Sequence, residues 1–194
     1  MADKASDEAQ RAQLVSRNLR TVGALAAVFV LPLLISFWMY YGNAWRPVGR
    51  TNHGELIEPA RPLPGAAGLF EQKWAIVYIG DGACDNACQS SLYFMRQTRL
   101  ALNNEMTRVS RAFLATANCC NREFLEREHA GLILIDATRS DVRQILTVFP
   151  QTDLPHSLFI VDPLGNLVMR YDAREDPKGL LTDLKKLLRL SHIG

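Results

Sequence analysis

Residues 74–88, Trp-Ala-Ile-Val-Tyr-Ile-Gly-Asp-Gly-Ala-Cys-Asp-Asn-Ala-Cys, are the stretch on which the fold turns. The first six are apolar, β-branched and aromatic residues among them, and read as a buried strand. Gly80-Asp81-Gly82-Ala83 reads as a tight loop. From Cys88 to Leu102, Leu92, Met95, Leu100 and Leu102 recur among polar residues, as in an amphipathic helix. The passage is therefore strand, loop, helix, with Cys84 and Cys88 at the joint.

The same alternation continues downstream. Residues 109–116 read as a second strand, 122–129 as a short helix and 131–136 (GLILID) as a third strand. Ser140 is a candidate cap for a helix running to Phe149. Residues 157–161 (SLFIV) form a fourth strand, 162–165 (DPLG) a turn with Pro second, and 166–171 a fifth strand. Asp176-Pro177 opens a last helix whose stripe is Leu180, Leu181, Leu184, Leu187, Leu188 and Leu190. This order predicts an α/β fold, a mixed sheet with helices on both faces in the thioredoxin-like arrangement with an insertion. In such sheets chemistry gathers beyond the C-terminal ends of the strands. Cys84 and Cys88 lie in that position.

Cys84-Asp85-Asn86-Ala87-Cys88 is a C-x-x-x-C motif opening a helix. Unpaired N–H groups and the positive helix end favour thiolate there, while the charge of Asp85 opposes it. At i and i+4 the sulfurs would share one helical face, with Cα atoms ~6 Å apart, within disulfide range. Two thiolates can also hold a soft metal such as Cu(I). His156 begins the fourth strand, whose end should lie beside the loop after the first, so its imidazole is the candidate third ligand. The alternative is two structural thiols and a surface or core histidine. Cys119-Cys120 follows the second strand at the same end of the sheet. The pair reads as free thiols; exchange of one with Cys84 or Cys88, and metal ligation, stay open. His53, His129 and His192 read as solvated.

N-terminal to this domain, residues 21–44 carry no charge. Their apolar core, roughly residues 22–41, suffices for a helix to cross a ~30 Å hydrocarbon layer. Trp38, Tyr40, Tyr41 and Trp45 cluster at its end as interfacial aromatics do. No small-residue cleavage site follows, which favours an uncleaved anchor over a signal peptide. Arg11, Arg17 and Arg20 precede the span, and Arg46 and Arg50 follow it, a bias toward a cytoplasmic N-terminus. Asp3, Asp7 and Glu8 are foreign to a mitochondrial presequence, which favours a bacterial inner membrane. The expected layout is a cytoplasmic tail (1–20), a transmembrane anchor (21–44), a Pro-rich linker (45–69) and a thioredoxin-like periplasmic domain (70–194).

The chain has 194 residues, of which 48% are hydrophobic and 22% charged, which excludes a disordered or coiled-coil protein. Residues 65–194 hold 15 basic and 15 acidic residues, so no basic excess favours nucleic acid. No Gly-rich phosphate loop, H-E-x-x-H or nucleophile elbow is present.

Cys84, Cys88 and the stretch from His156 through Asp162-Pro163-Leu164-Gly165 resemble the Sco family of copper chaperones, thioredoxin-like proteins with one N-terminal anchor. The resemblance covers roughly residues 70–190. It implies copper delivery to the binuclear copper site of cytochrome c oxidase subunit two, or reduction of that site's cysteines. The implied partners are that subunit or other oxidase assembly factors. Family members usually carry proline after each motif cysteine; Asp85 and Gln89 stand there in this chain. The competing expectations are a general periplasmic thiol–disulfide oxidoreductase without metal, and a non-catalytic scaffold. Oxidoreductases of that kind usually show C-x-x-C.

Overall fold

The computed structural model describes residues 2–42, 51–175, 177–191 and 193, with the backbone alone for 2–17, 19, 67, 141 and 177. It divides into two units, residues 1–50 and 51–194. The first is α1 (Ala2–Tyr41), one continuous helix that takes in both the expected tail and the expected anchor and carries Pro32 inside it. From Arg20 to Tyr41 its mean hydropathy is 2.3, and 22 residues of helix reach about 33 Å, long and apolar enough to span a membrane. None of that window is buried within the protein. Leu33, Leu34, Phe37 and Trp38 all face outward, an arrangement that suits lipid rather than water. Asn43, Ala44, Trp45, Arg46 and Arg50 lie outside the described residues, as do Asp176 and His192.

The second unit is built on a six-stranded sheet of order β1-β6-β5-β2-β3-β4. The strands are β1 (Glu55–Pro62), β2 (Trp74–Gly80), β3 (Val109–Ala115), β4 (Leu132–Asp136), β5 (Ser157–Val161) and β6 (Asn166–Asp172). β2, β3 and β4 run parallel, with Ile76 opposite Arg111 and Phe113 opposite Leu134. β5 and β6 run antiparallel to their neighbours, with Tyr78 opposite Leu158. The helices are α2 (Asn86–Leu100), α3 (Arg122–Glu128), α4 (Ser140–Leu146) and α5 (Pro177–Leu190). Trp74, Ile76 and Tyr78 join Leu92 and Met95 of α2, Leu125 of α3, and Leu180, Leu184 and Leu188 of α5 in one core. Ala75, Val77 and Ile79 join Val142 and Ile145 of α4, and Phe149, in the other. Period-two side chains on a doubly covered strand give this division directly.

β1 lies where the sequence reads as linker. Its antiparallel pairing with β6 sets Glu55 opposite Arg170 and Pro62 opposite Asn166, with a register shift between Leu56 and Arg61. Pro59 and Pro62 cannot donate to a ladder, which an edge strand tolerates because one of its sides has no partner strand. Ser140 is the first residue of α4 rather than its cap, which is Arg139, and the helix ends at Leu146, three residues short of the expected Phe149.

Asp183 of α5 pins the start of this unit. Its buried Oδ2 accepts from the backbone N–H groups of His53 (2.7 Å) and Gly54 (3.1 Å) and from the Tyr171 hydroxyl (2.5 Å). Burial, and then the bond to Asp183, push the Tyr171 phenol far above its ordinary range. His53 itself is exposed, as expected. His129 is the opposite case. The expected solvated histidine is buried, packs edge-on against Phe124 (5.9 Å) and leaves Nδ1 without a partner. It follows α3, which ends against the core, so the ring turns inward. Burial, then the charge of the nearby buried Arg111, lowers its pKa below 6.5.

Two outcomes follow. Asp183→Ala strands three donors and should cost about 3 kcal/mol in chemical denaturation, with Asp183→Asn milder. His129 has a folded pKa below its unfolded value, so its contribution to stability is full above about pH 6.5 and is lost as pH falls toward the folded pKa. Melting temperatures from pH 7.5 to 5 should therefore fall less steeply in His129→Leu than in the wild type.

Candidate functional site

β2 ends at Gly80, and the chain turns sharply before α2. Asp81 shapes the turn: its Oδ1 accepts from the Ala83 N–H (2.8 Å) and its carbonyl from the Cys84 N–H (3.1 Å). Cys84 sits at φ 54, in the left-handed region, so it lies before the helix and not on it. Asp85 is the N-cap, and its carboxylate accepts from the Cys88 N–H at 2.9 Å. Cys88 alone stands in the first turn of α2. The expectation that both sulfurs ride one helical face is thus corrected: a left-handed residue folds Cys84 back toward Cys88, and a capped turn positions its partner. The two form a disulfide, Cα to Cα 5.0 Å, and both are buried.

Gln89 completes the frame. Its Nε2 donates to the Cys84 carbonyl (3.1 Å), and its N–H to the Asp85 carbonyl (2.9 Å). Asp85 and Gln89 therefore hold the motif by hydrogen bonds at the two positions where the Sco resemblance leads to proline. Tyr78, buried under the loop, donates to the Pro155 carbonyl at 3.3 Å. Burial, then the charge of Asp85, push its phenol up to about 12, so it stays a neutral donor.

The loop after β3 lies against the cysteine loop. Gly82 N–H donates to the Ala117 carbonyl (2.8 Å), and Asn121 N–H to the Gly82 carbonyl (3.2 Å). Asn118 Nδ2 donates to both carboxylate oxygens of Asp81, at 3.2 and 3.0 Å. A Cβ at Gly82 would stand 2.7 Å from the Asn118 carbonyl oxygen and from Cys119 Cα, so only glycine fits. In this loop Cys119 and Cys120 are joined to each other, across a cis peptide. The expectation of free thiols is corrected, since each sulfur has its bonding partner in the adjacent residue.

His156 closes the 3₁₀ turn Leu154–His156 immediately before β5 and is half-buried. β2 and β5 pair through Tyr78 and Leu158. Continued by two residues, that register sets His156 across from Gly80, at the end of the sheet that carries Cys84. The same turn packs against α2 and β2. Among the described residues, no three His, Cys, Asp or Glu side chains are grouped to hold a metal ion. In this state the sulfurs of Cys84 and Cys88 are bonded to each other.

The hydrogen-bonding parts played by Gln89, Tyr78 and Asn118, and the close approach at Gly82, escape the sequence reading. A glycine in a Gly-Asp-Gly loop signals a turn, but its cross-loop partners are some three dozen residues away in the chain.

The sequence pattern of the family described as the transmembrane-like, thioredoxin-like, C-terminal domain matches residues 74–191. The chain belongs to this family. No curated protein matches it. Among solved structures, the transmembrane-like, thioredoxin-like domain is similar to apo Sco1 from Thermus thermophilus, with 17% identity, 72% of this chain and 99% of that chain covered, and a TM-score of 0.56. It is similar also to yeast Sco1 with copper bound, at 16% identity, 73% and 95% coverage, and a TM-score of 0.54. At such identities the likeness establishes the fold, a thioredoxin-like mixed sheet.

Asp85 supplies both a cap and a charge, and the two can be separated. Asparagine caps as well as aspartate. In Asp85→Asn the fold should hold, and the reduced cysteines should alkylate faster with iodoacetamide at pH 7, because the opposing negative charge is gone. Asp85→Ala loses the cap as well and should cost about 1 kcal/mol of stability. Timed mass spectrometry and thermal melts check both.

Proposed function

We propose that this chain is a membrane-anchored, thioredoxin-like assembly factor for a respiratory cytochrome c oxidase. On this reading it carries copper as cargo, or reduces the disulfide of the receiving site, through Cys84 and Cys88. The observation that carries it is the C-x-x-x-C disulfide at the capped start of α2, on the end of the sheet where His156 immediately precedes β5. A thiol pair and an imidazole are a donor set suited to Cu(I). Copper follows reduction, because the sulfurs must first be parted from each other. The solved yeast Sco1 with copper bound shares the fold and lends support. The proposed partners are an oxidase subunit or other oxidase assembly factors.

The proposed location is a bacterial inner membrane, crossed once by α1, with the cysteine domain in the periplasm. The arginines ahead of the span support that orientation, and an oxidising compartment suits the disulfides.

A metal-free thiol–disulfide oxidoreductase is the second reading. The lack of a grouped three-residue donor set among the described residues favours it.

Competition of the reduced full-length protein in detergent with a Cu(I) chelator tests the proposal. The wild type should bind Cu(I), Cys84→Ser/Cys88→Ser should lose it, and His156→Ala should weaken it at least ~10-fold, with a greater loss for Cu(II). Equal affinities in wild type and His156→Ala would remove His156 from the site. Weak binding by the wild type would favour the metal-free reading.

A further inference from the structure

The cysteine pair that does the proposed chemistry is closed off from solvent. Cys84 and Cys88 are 3% and 1% exposed. Thiol–disulfide exchange needs a thiolate to reach a sulfur in line, so burial slows any external reductant. The second pair differs. Cys119 is exposed, and Cys120 is half-buried against the core cluster that contains Cys84 and Cys88. The two loops are fastened together through both backbone groups of Gly82, two residues before Cys84, and through the Asn118–Asp81 bonds. One disulfide faces outward and the other inward, and a single backbone junction joins them.

We propose that Cys119–Cys120 is the outer port of an intramolecular thiol–disulfide relay that passes two electrons from an external dithiol to Cys84–Cys88. The proposal rests on the thiol chemistry of the reading above and adds the route of reduction. A donor thiolate attacks the exposed Cys119 sulfur. The Cys119–Cys120 bond breaks and Cys120 leaves as thiolate. The second donor thiol then displaces Cys119, so the donor ends as a disulfide and Cys119 and Cys120 as a dithiol. Cys120, on the inner side, attacks the Cys84–Cys88 bond and forms a mixed disulfide with one of its sulfurs. Cys119 attacks Cys120, restores the Cys119–Cys120 bond and releases Cys84 and Cys88 as thiols. The two donor protons end on Cys84 and Cys88. The net change is one dithiol oxidised and one buried disulfide reduced.

The test uses the oxidised full-length chain in detergent with dithiothreitol as donor. Samples are acid-quenched over time, alkylated, and both pairs are mapped by mass spectrometry. In Cys119→Ala/Cys120→Ala, reduction of Cys84–Cys88 should slow at least about tenfold, because access then requires local opening of the loop. An unchanged rate in a folded double variant overturns the relay and leaves the proposed function standing. Cys119→Ser removes the resolving sulfur and should accumulate a mixed disulfide between Cys120 and Cys84 or Cys88. Its absence also overturns the relay, and this variant decides alone if the double variant melts below the assay temperature. Failure of dithiothreitol to reduce Cys84–Cys88 in the wild type at all would instead sink the reading on which the relay rests.

Discussion

β2 holds its place because every direction around it is filled. β3 supplies one ladder, β5 the other, and apolar side chains cover both faces. A strand so enclosed must consist of apolar residues, since a buried polar group without a partner costs several times what a hydrogen bond contributes. The end of the domain that carries the cysteine motif is an extension of that strand. Gly80, Asp81 and Gly82 leave the sheet where β2 runs out, and the cysteine motif follows within two residues. The disulfide is placed by the central strand and by the loop bonds that follow it.

The motif is held by a different means from the one its resemblance suggests. Proline after a cysteine would fix a backbone angle and remove a donor. Asp85 and Gln89 reach a defined conformation by adding bonds, one to the Cys88 N–H and one to the Cys84 carbonyl. The consequence is electrostatic as well as geometric. A carboxylate now stands beside the cysteine pair and beside the buried Tyr78 phenol, which its charge helps to keep protonated. A helix start that would favour anions is thus partly neutralised by its own cap.

The basic side chains beneath α2 and α3 are a second departure from a plain apolar core. Arg111 is buried in β3 with its Nη2 on the Ala130 carbonyl and its Nε and Nη1 unpartnered. Burial, then the charges of Arg99 and Arg96, pull its pKa down to about 10, so it remains a cation at neutral pH. His129 beside it stays neutral more readily for the same reason, since a second buried charge there would face both desolvation and repulsion. Of the two, His129 gives the domain an acid-sensitive spot.

Much of this was legible in the residues alone. The run 74–79, the alternation after it and the leucine stripe of α5 specify a layered α/β fold, because burial on two faces writes continuous apolar runs and burial on one writes a period. The charge-free stretch before it specifies a helix suited to a membrane for the same reason. β1 was hidden, because its prolines read as a linker and only pairing with β6 makes them an edge strand. His129 was hidden, because a helix end gives no sign of which way its ring turns. The cysteines show the division most sharply. Their spacing foretold a possible bridge, and the left-handed Cys84 and the capping Asp85 are made by bonds three residues apart, but the junction at Gly82 is a product of long-range contact. Hydrogen bonds between residues some three dozen positions apart leave no periodic trace in a sequence, and only the folded chain fastens the loops of the two cysteine pairs together.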